Sequence, residues 1–461
     1  MTTLDPATTA SALRGVCEIH LPGDPGYDAA RRPWNLSVDQ RPAAVAVPAT
    51  TQEVQDLVVA AAAAGLRVAP QNAGHGAAAL AADGLDDVVV VRLSGLSDVS
   101  VDPDARTARI AGATTWGQVV AESSPHGLTA LHGSSPSVAA IGYLLGGGIS
   151  CYGRTHGLAA NSLRGIDVVT ADGALRHADA TEHADLFWAL RGAGANLGIV
   201  VAAEIDLIAQ PDAHAGMMMW DREHAPAVVA TWASWTRDLP ESVTSSLRIM
   251  AFPPAPELPP FLSGRDLVVV DGVTLEDDDE ATGLLEPLRA LEPELDTFAR
   301  IPALGVLDVH MDPPEPVPGI GDHAMLGPLE DDAVAAFLGV LGPGTRSGVT
   351  IAELRHLGGA LARPHAAGGA LSAVPGDYAL LCLAMAPDAE AAAAGRAAAA
   401  DVIRAMAPWT LPTRIPTFTE ARSDPATMFD VATRERLTGV RDTFDPQRRL
   451  VANHPVAAER P

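Results

Sequence analysis

Two repeat lengths of apolar and polar positions take turns along the first two hundred residues, strand-length apolar runs exchanging with stretches of helical spacing. Thr50 and Glu53 have capping-box spacing, so a helix is predicted over 51–64, ending at Gly65. Residues 66–70 then read as a strand running into the small-residue segment 71–76. Residues 87–93 are mostly apolar and β-branched, the pattern of a strand buried on both faces. A further strand is predicted at 108–112 and a short helix at 115–122. Residues 166–170 and 174–177, joined by Ala171-Asp172-Gly173, predict a hairpin. Residues 185–190 read as helical, and 198–208 as a long strand closing the region.

From about residue 210 proline-rich breaks appear at 252–260 and 313–318. Strands are predicted at 246–251, 267–273, 349–355 and 378–385. Helices are predicted at 225–237, 278–291, 331–341 and 389–406, the last alanine-rich, which is plain helix propensity. The pattern is that of a separate α+β unit ahead of a short return segment. In that segment 434–440 predicts a short helix weakened by Gly439, and Asp445-Pro446 breaks it before Leu450-Val451-Ala452-Asn453.

A chain of 461 residues implies two or three domains. Its 31 basic and 57 acidic residues give a net charge of −26. That balance argues against nucleic acid and anionic membrane surfaces as partners and favours solubility. Cys17, Cys151 and Cys382 are scattered, so neither a disulfide framework nor a zinc or other metal site is expected. The start, Met1 to Ala7, lacks the charge and apolar core of a secretory signal, and no run has the length of a membrane span. A reducing, cytoplasmic setting is the expectation.

Three loops beside predicted strands carry small residues that leave backbone N–H groups exposed: Asn72-Ala73-Gly74-His75-Gly76, Gly146-Gly147-Gly148, and residues 192–198. Such nests bind anions, phosphates above all. Three in one region suggest an extended ligand such as a dinucleotide. None is a Gly-x-Gly-x-x-Gly ahead of a long helix, and no Gly-Lys-[Ser/Thr] loop occurs, which disfavours Rossmann and P-loop sites.

The order of these segments resembles the vanillyl-alcohol-oxidase/PCMH superfamily, and the whole chain resembles its berberine-bridge-enzyme-like bacterial oxidoreductases. Residues 68–76 are similar to the family's Arg-x-Gly-Gly-His loop, and 133–148 to its second flavin loop. Residues 157–161, 168–173 and 185–200 follow in family order, and 436–453 resembles the C-terminal return to the flavin. The resemblance implies an α+β fold: a two-lobed PCMH-type FAD-binding domain (1–208), an α+β substrate domain with an antiparallel sheet (209–433), and a C-terminal segment (434–461) returning to the FAD domain. It implies FAD bonded through the flavin 8α-methyl carbon to His75. Ser135 stands where bicovalent relatives carry a second linking cysteine, so His75 is the single tether. Further cofactor contacts fall on Gln71, Asn72, Ala73, Gly74, Gly76, Val138, Gly142, Gly146, Gly147, Gly148, Asn161, Gly198, Ile199, Val200 and Asn453. Gln71, Ala73 and Asn161 depart from the family's usual arginine, glycine and aspartate. Val138 falls where the family controls oxygen access, and its modest side chain favours an oxidase.

Relatives commonly use a tyrosine as base, but Phe418 stands where it is expected. The substitute catalytic candidates are Glu353, Arg355, Tyr378 and Glu420. In a strand Glu353 and Arg355 share one face while His356 takes the other, which suits either a polar-substrate wall or a salt-bridged pair on a wet sheet. The expected function is FAD-dependent oxidation of a small alcohol, amine or natural-product substrate, with oxygen as acceptor. A dehydrogenase with another acceptor, or a redox-silent binding or cyclisation scaffold, stay open as alternatives.

Overall fold

The computed structural model describes residues 10–456 apart from 255, 257 and 258. The Met1 to Ala7 stretch and three positions of the 252–260 break therefore lie outside the described residues. Among the described residues the strands form three sheets.

The first sheet has four strands in the order Glu18–His20, Ala44–Val47, Val88–Val91, Arg67–Pro70. Val88–Val91 pairs in parallel with both Ala44–Val47 and Arg67–Pro70, so it is central, and all four valines are buried. Burying each valine contributes roughly 1.5–3 kcal/mol before entropy is counted. The helix Thr51–Ala63 starts as its residues require: Thr50 accepts from Glu53 N (3.1 Å), and Glu53 accepts from Ala49 N (2.6 Å). The second sheet is antiparallel, ordered Val99–Asp102, Thr107–Ala111, Ile199–Asp206, Leu163–Val169, Leu175–Asp179. It contains the hairpin expected around Gly173.

The third sheet is antiparallel, with nine strands. Its path runs Leu295–Asp296, Asp212–Asp221, Asp266–Thr274, Val243–Ala251, Ile351–His356, Tyr378–Met385, Gly319–Leu326, Thr410–Leu411; Ala299–Pro302 also pairs with Asp212–Asp221. Asp212–Asp221 and Gly319–Leu326 carry no strand expectation, because methionines and glycines hide their β character. Tertiary pairing decides them. One face of this sheet is apolar (Trp220, Leu247, Val268, Leu354, Leu380) and packs under the helices Ala225–Arg237, Asp331–Leu341 and Ala389–Ala405. The other face turns toward the second sheet, where Met325 and Ala379 join one core with Leu144, Ile149 and Val168.

The C-terminal helix extends over Val431–Phe444, straight through Gly439, because Leu437, Val440 and Arg441 are buried beneath it. The chain then pairs with the strand ahead of His75: Val68 N donates to Arg449 O, and Val451 N to Val68 O, both at 2.9 Å. Asn196 fastens the end further, donating to His454 O (2.8 Å) and accepting from Val456 N (3.1 Å). No described helix is long and apolar enough to cross a membrane.

Candidate functional site

Arg67–Pro70 delivers residues 71–76 to the junction of the sheets. Gln71 turns its amide onto Gln40 in a reciprocal pair (3.0 and 2.8 Å), and Asn72 donates to Gly112 O (2.7 Å). Gln71 therefore shapes the loop with its side chain engaged on Gln40. Gly74 has φ +93°, and a Cβ there would meet Pro33 at 2.8 Å; no other residue fits. The His75 ring packs on Trp34, with centroids 4.3 Å apart. Burial lowers its pKa to about 4, opposed only by Asp312, so the imidazole is neutral near pH 7. Its Nε2 is buried without a hydrogen-bond partner. The ring is thus neutral, with one buried nitrogen open to a bound group.

The second loop places Ser135 beside Ser137 (3.1 Å between hydroxyls). The glycine run behind it serves close packing. A Cβ on Gly146 would meet Thr417, one on Gly147 would meet Leu371, and one on Gly148 would meet the Tyr143 ring at 2.4 Å. The cradle expected there is in part a seat for side chains. Gly142 has open space around its Cβ position. Gly198 is forced by Val168, which a Cβ would meet at 2.3 Å. Ile199 and Val200 are buried core residues of the second sheet, paired with Val169 and Val168. Asn453 packs its amide against Gly76, closing the His75 loop from the C-terminal side. Burial pushes the Cys151 thiol up to about 12, so it is an unreactive thiol.

Across from these loops stands the inward face of the large sheet. Register aligns Arg248 with Glu353 and Ser246 with Arg355, and puts Asp271 beside Ser246. Glu353 accepts from Arg355 Nε (2.7 Å), and Arg355 stacks over the Phe418 ring at 5.4 Å. Burial alone would raise the Glu353 carboxyl, but Arg355 and His310 outweigh it and hold the group well below the usual carboxylate range. Glu420 lies against Gly321 on this face, since Gly321 and Ile351 both pair with Leu383. Burial, aided by Asp322 and opposed by the Gly321 N–H, raises its carboxyl to about 7.

Tyr378 is a correction. It pairs with His356 on the helix-covered face, is 2% exposed, and shares a hydrogen bond with Thr236 (2.7 Å). Strand alternation separates it from Glu353 and Arg355, and it belongs to the core. Sequence reasoning missed Trp34, Arg248, Asp271, His310 and Asp312. Their one sequence signal is charge inside apolar strand patterns, at Arg248 and Asp271. Among the described residues no group of three or more His, Cys, Asp or Glu is arranged to hold a metal ion. A groove of about 690 Å³ beside the C-terminal helix, lined by Arg422, Asp424, Val431 and Arg434, shares no residue with this cluster.

The loops fit a flavin. His75 Nε2, Trp34 Nε1, Asn72 Oδ1, Tyr143 Oη, Asn161 Oδ1 and Thr417 Oγ1 are all buried side-chain atoms without a protein partner. Groups of this kind require a ligand or ordered water. Fold and loops together define an FAD-binding protein of PCMH type whose flavin loops face a polar sheet.

Comparison with known proteins agrees. Residues 42–179 match the FAD binding domain family. Glucooligosaccharide oxidase of Sarocladium strictum is 33% identical over 239 residues, covering 51% of this chain and 48% of that protein. (R)-6-hydroxynicotine oxidase of Paenarthrobacter nicotinovorans is 32% identical over 212 residues, covering 46% and 45%. These alignments thus span about half the length of the relatives. The whole fold matches 6-hydroxy-D-nicotine oxidase of Arthrobacter nicotinovorans (TM-score 0.81, 21% identity, 96% of this chain and 98% of that one). It also matches the wild-type berberine-bridge-enzyme-like protein 1 of Physcomitrella patens (TM-score 0.83, 19% identity, 98% and 100%). Residues 42–179 are thus similar to the FAD binding domain family, and the fold of the whole chain is that of the berberine-bridge-enzyme-like structures.

Proposed function

We propose that the protein is an FAD-dependent oxidase of a small, polar, hydroxyl-bearing substrate, with FAD attached through His75 alone and oxygen as final acceptor. The observation that carries this reading is the buried neutral His75, its Nε2 unpartnered, at the junction faced by the Glu353–Arg355 wall. The unit 1–208 holds the cofactor, 209–433 supplies the substrate wall, and 434–461 returns to seal the His75 loop. Bound FAD would supply a two-electron acceptor for the hydride of the substrate carbon.

The residues divide the remaining work. His75 contributes the nitrogen of the covalent link, and the Ser135 hydroxyl offers no thiol for a second one. Arg355 donates and Glu353 accepts at fixed positions, orienting substrate hydroxyl groups. Glu353 is too strongly paired to be a good base. Glu420, raised to about 7, has the matched pKa for taking the substrate proton near neutral pH. Among relatives, oxidases of gluco-, xylo- and chitooligosaccharides fit such a wall, so carbohydrate hydroxyls are the first substrates to try.

The test is anaerobic mixing of the holoprotein with oligosaccharides and with 6-hydroxynicotine, following flavin bleaching, then admission of oxygen. Bleaching by a saccharide followed by rapid reoxidation with peroxide release is expected, and E420Q should slow bleaching by about 10²-fold or more. Bleaching with slow reoxidation would instead establish a dehydrogenase. A colourless protein, or one that no hydroxylated substrate bleaches, would overturn the proposal.

A further inference from the structure

Behind Glu353 the sheet carries a second layer of charge that the proposed chemistry does not use. His310, between the helix Ala303–Val306 and the strand Gly319–Leu326, is buried. Its Nδ1 lies 2.9 Å from Asp271 Oδ2, and its Nε2 lies 3.6 Å from Glu353 Oε2 and 3.8 Å from Asp312 Oδ1. Arg248 pairs with Asp271 (2.8 Å) and donates to the His310 carbonyl (2.7 Å). The Ser246 hydroxyl donates to the other Asp271 oxygen (2.8 Å). Asp312, two residues on, accepts from Ser134 of the second flavin loop (2.6 Å). The backbone between them is strained, because Met311 holds φ +57° with its side chain exposed. A left-handed non-glycine residue costs about 1–2 kcal/mol, and such strain gathers at functional sites. Here it turns His310 toward the sheet and Asp312 toward the flavin loop.

We propose that His310 is a positioning residue: as a buried imidazolium locked between Asp271 and Glu353, it keeps Glu353 a fixed carboxylate on the inward face, while Asp312 of the same strap fixes Ser134. This rests on Glu353 and Arg355 forming the substrate wall. The charges support it. The groups around the ring are Asp271 and Arg248 from neighbouring strands, Glu353 with Arg355 behind it, and Asp312 on its own segment. Arg248 and Arg355 face three carboxylates, so a protonated His310 makes the cluster neutral and a neutral ring leaves one buried negative charge uncompensated. Burial and Arg248 push the imidazole down, yet Asp271, Glu353 and Asp312 prevail and hold it up to about 9. Near pH 7 the ring is charged. Above about pH 9 it releases its proton, and Glu353 loses its second cation.

The test needs no turnover, so its failure is distinct from failure of the oxidase reading. The holoprotein, ¹⁵N-labelled at histidine, is titrated by NMR from pH 5 to 10. One imidazole should keep its proton to about pH 9 and vanish in H310Q. His177, raised by its hydrogen bond to half-buried Asp167, is recognised by its loss in H177N. If no histidine besides His177 remains protonated at pH 8, the proposal is overturned, and the wild type alone decides this should H310Q fail to fold. The Glu353 carboxyl, followed by ¹³C NMR, should titrate at least about one pH unit higher in H310Q and return in H310K. An unchanged Glu353 midpoint in H310Q would overturn the positioning role.

Discussion

Removal of the Glu353 side chain tests the inward wall most sharply on stability. Glu353 is 4% exposed, with one oxygen bonded to Arg355 and the other facing His310. In E353A the Arg355 guanidinium stays under Phe418 without its carboxylate, and His310 keeps Asp271 at 2.9 Å and Asp312 at 3.8 Å. Breaking a buried pair from one side costs about 3–5 kcal/mol, because a charge is left uncompensated. The Arg355 side chain keeps some solvent contact, which points to the lower end. Replacing both partners by apolar residues of similar volume is often neutral. E353L/R355M should therefore be more stable than E353A by roughly 2 kcal/mol or more. Urea unfolding followed by far- and near-ultraviolet circular dichroism measures both. The reasoning is refuted if E353A stays within about 1 kcal/mol of wild type, or if the double variant is the less stable of the two.

Other consequences are more local. At Met311, M311G should melt at or above wild type while M311V falls about 1–2 kcal/mol below M311G, since a β-branched residue resists left-handed backbone; equal melting of the two would remove the strain argument. His132, His323 and His454, each lowered to about 4 by burial, and His356, lowered to about 3, fold as neutral rings. Their contribution is fully present above the ordinary value of 6.5 and is lost as pH falls toward 4, so Tm should drop steadily from pH 6.5 to 4. A flat Tm across that range contradicts it. Glu420 acts in the opposite sense. Its folded pKa lies above the unfolded value, so stability is present below about pH 4.5 and lost as pH rises through about 7. E420Q should exceed wild type by ~1–3 kcal/mol at pH 8, with the gap closing at pH 4.5; a constant gap would assign the effect to packing.

Much of the fold is legible because burial and period agree. Val88–Val91 reads as a doubly buried strand and is one. The alanine-rich helix reads from propensity alone and forms over Ala389–Ala405. Asp212–Asp221 does not read so, because Met217, Met218 and Met219 carry little strand signal. Gly216 looks like a break, yet it is needed where the Phe298 backbone comes within 2.5 Å of its Cβ position. At the site, the His75 loop is legible since its chemistry lies within six residues. The cluster of Arg248, Asp271, His310 and Glu353 is not, because sheet register joins three of them across long sequence separations and His310 reaches them from the connection after Ala303–Val306. Tyr378 shows the remaining limit. Alternation tells which residues share a face, but only the packed helices tell which face turns inward.

The central claim is that His75 tethers FAD, and acid denaturation of the holoprotein tests it most directly. The account predicts that wild-type protein, precipitated and washed, keeps its flavin absorbance on the polypeptide, that S135A does the same, and that H75A releases the flavin to the supernatant. Flavin freely extracted from the wild type, or retained by H75A, would contradict it.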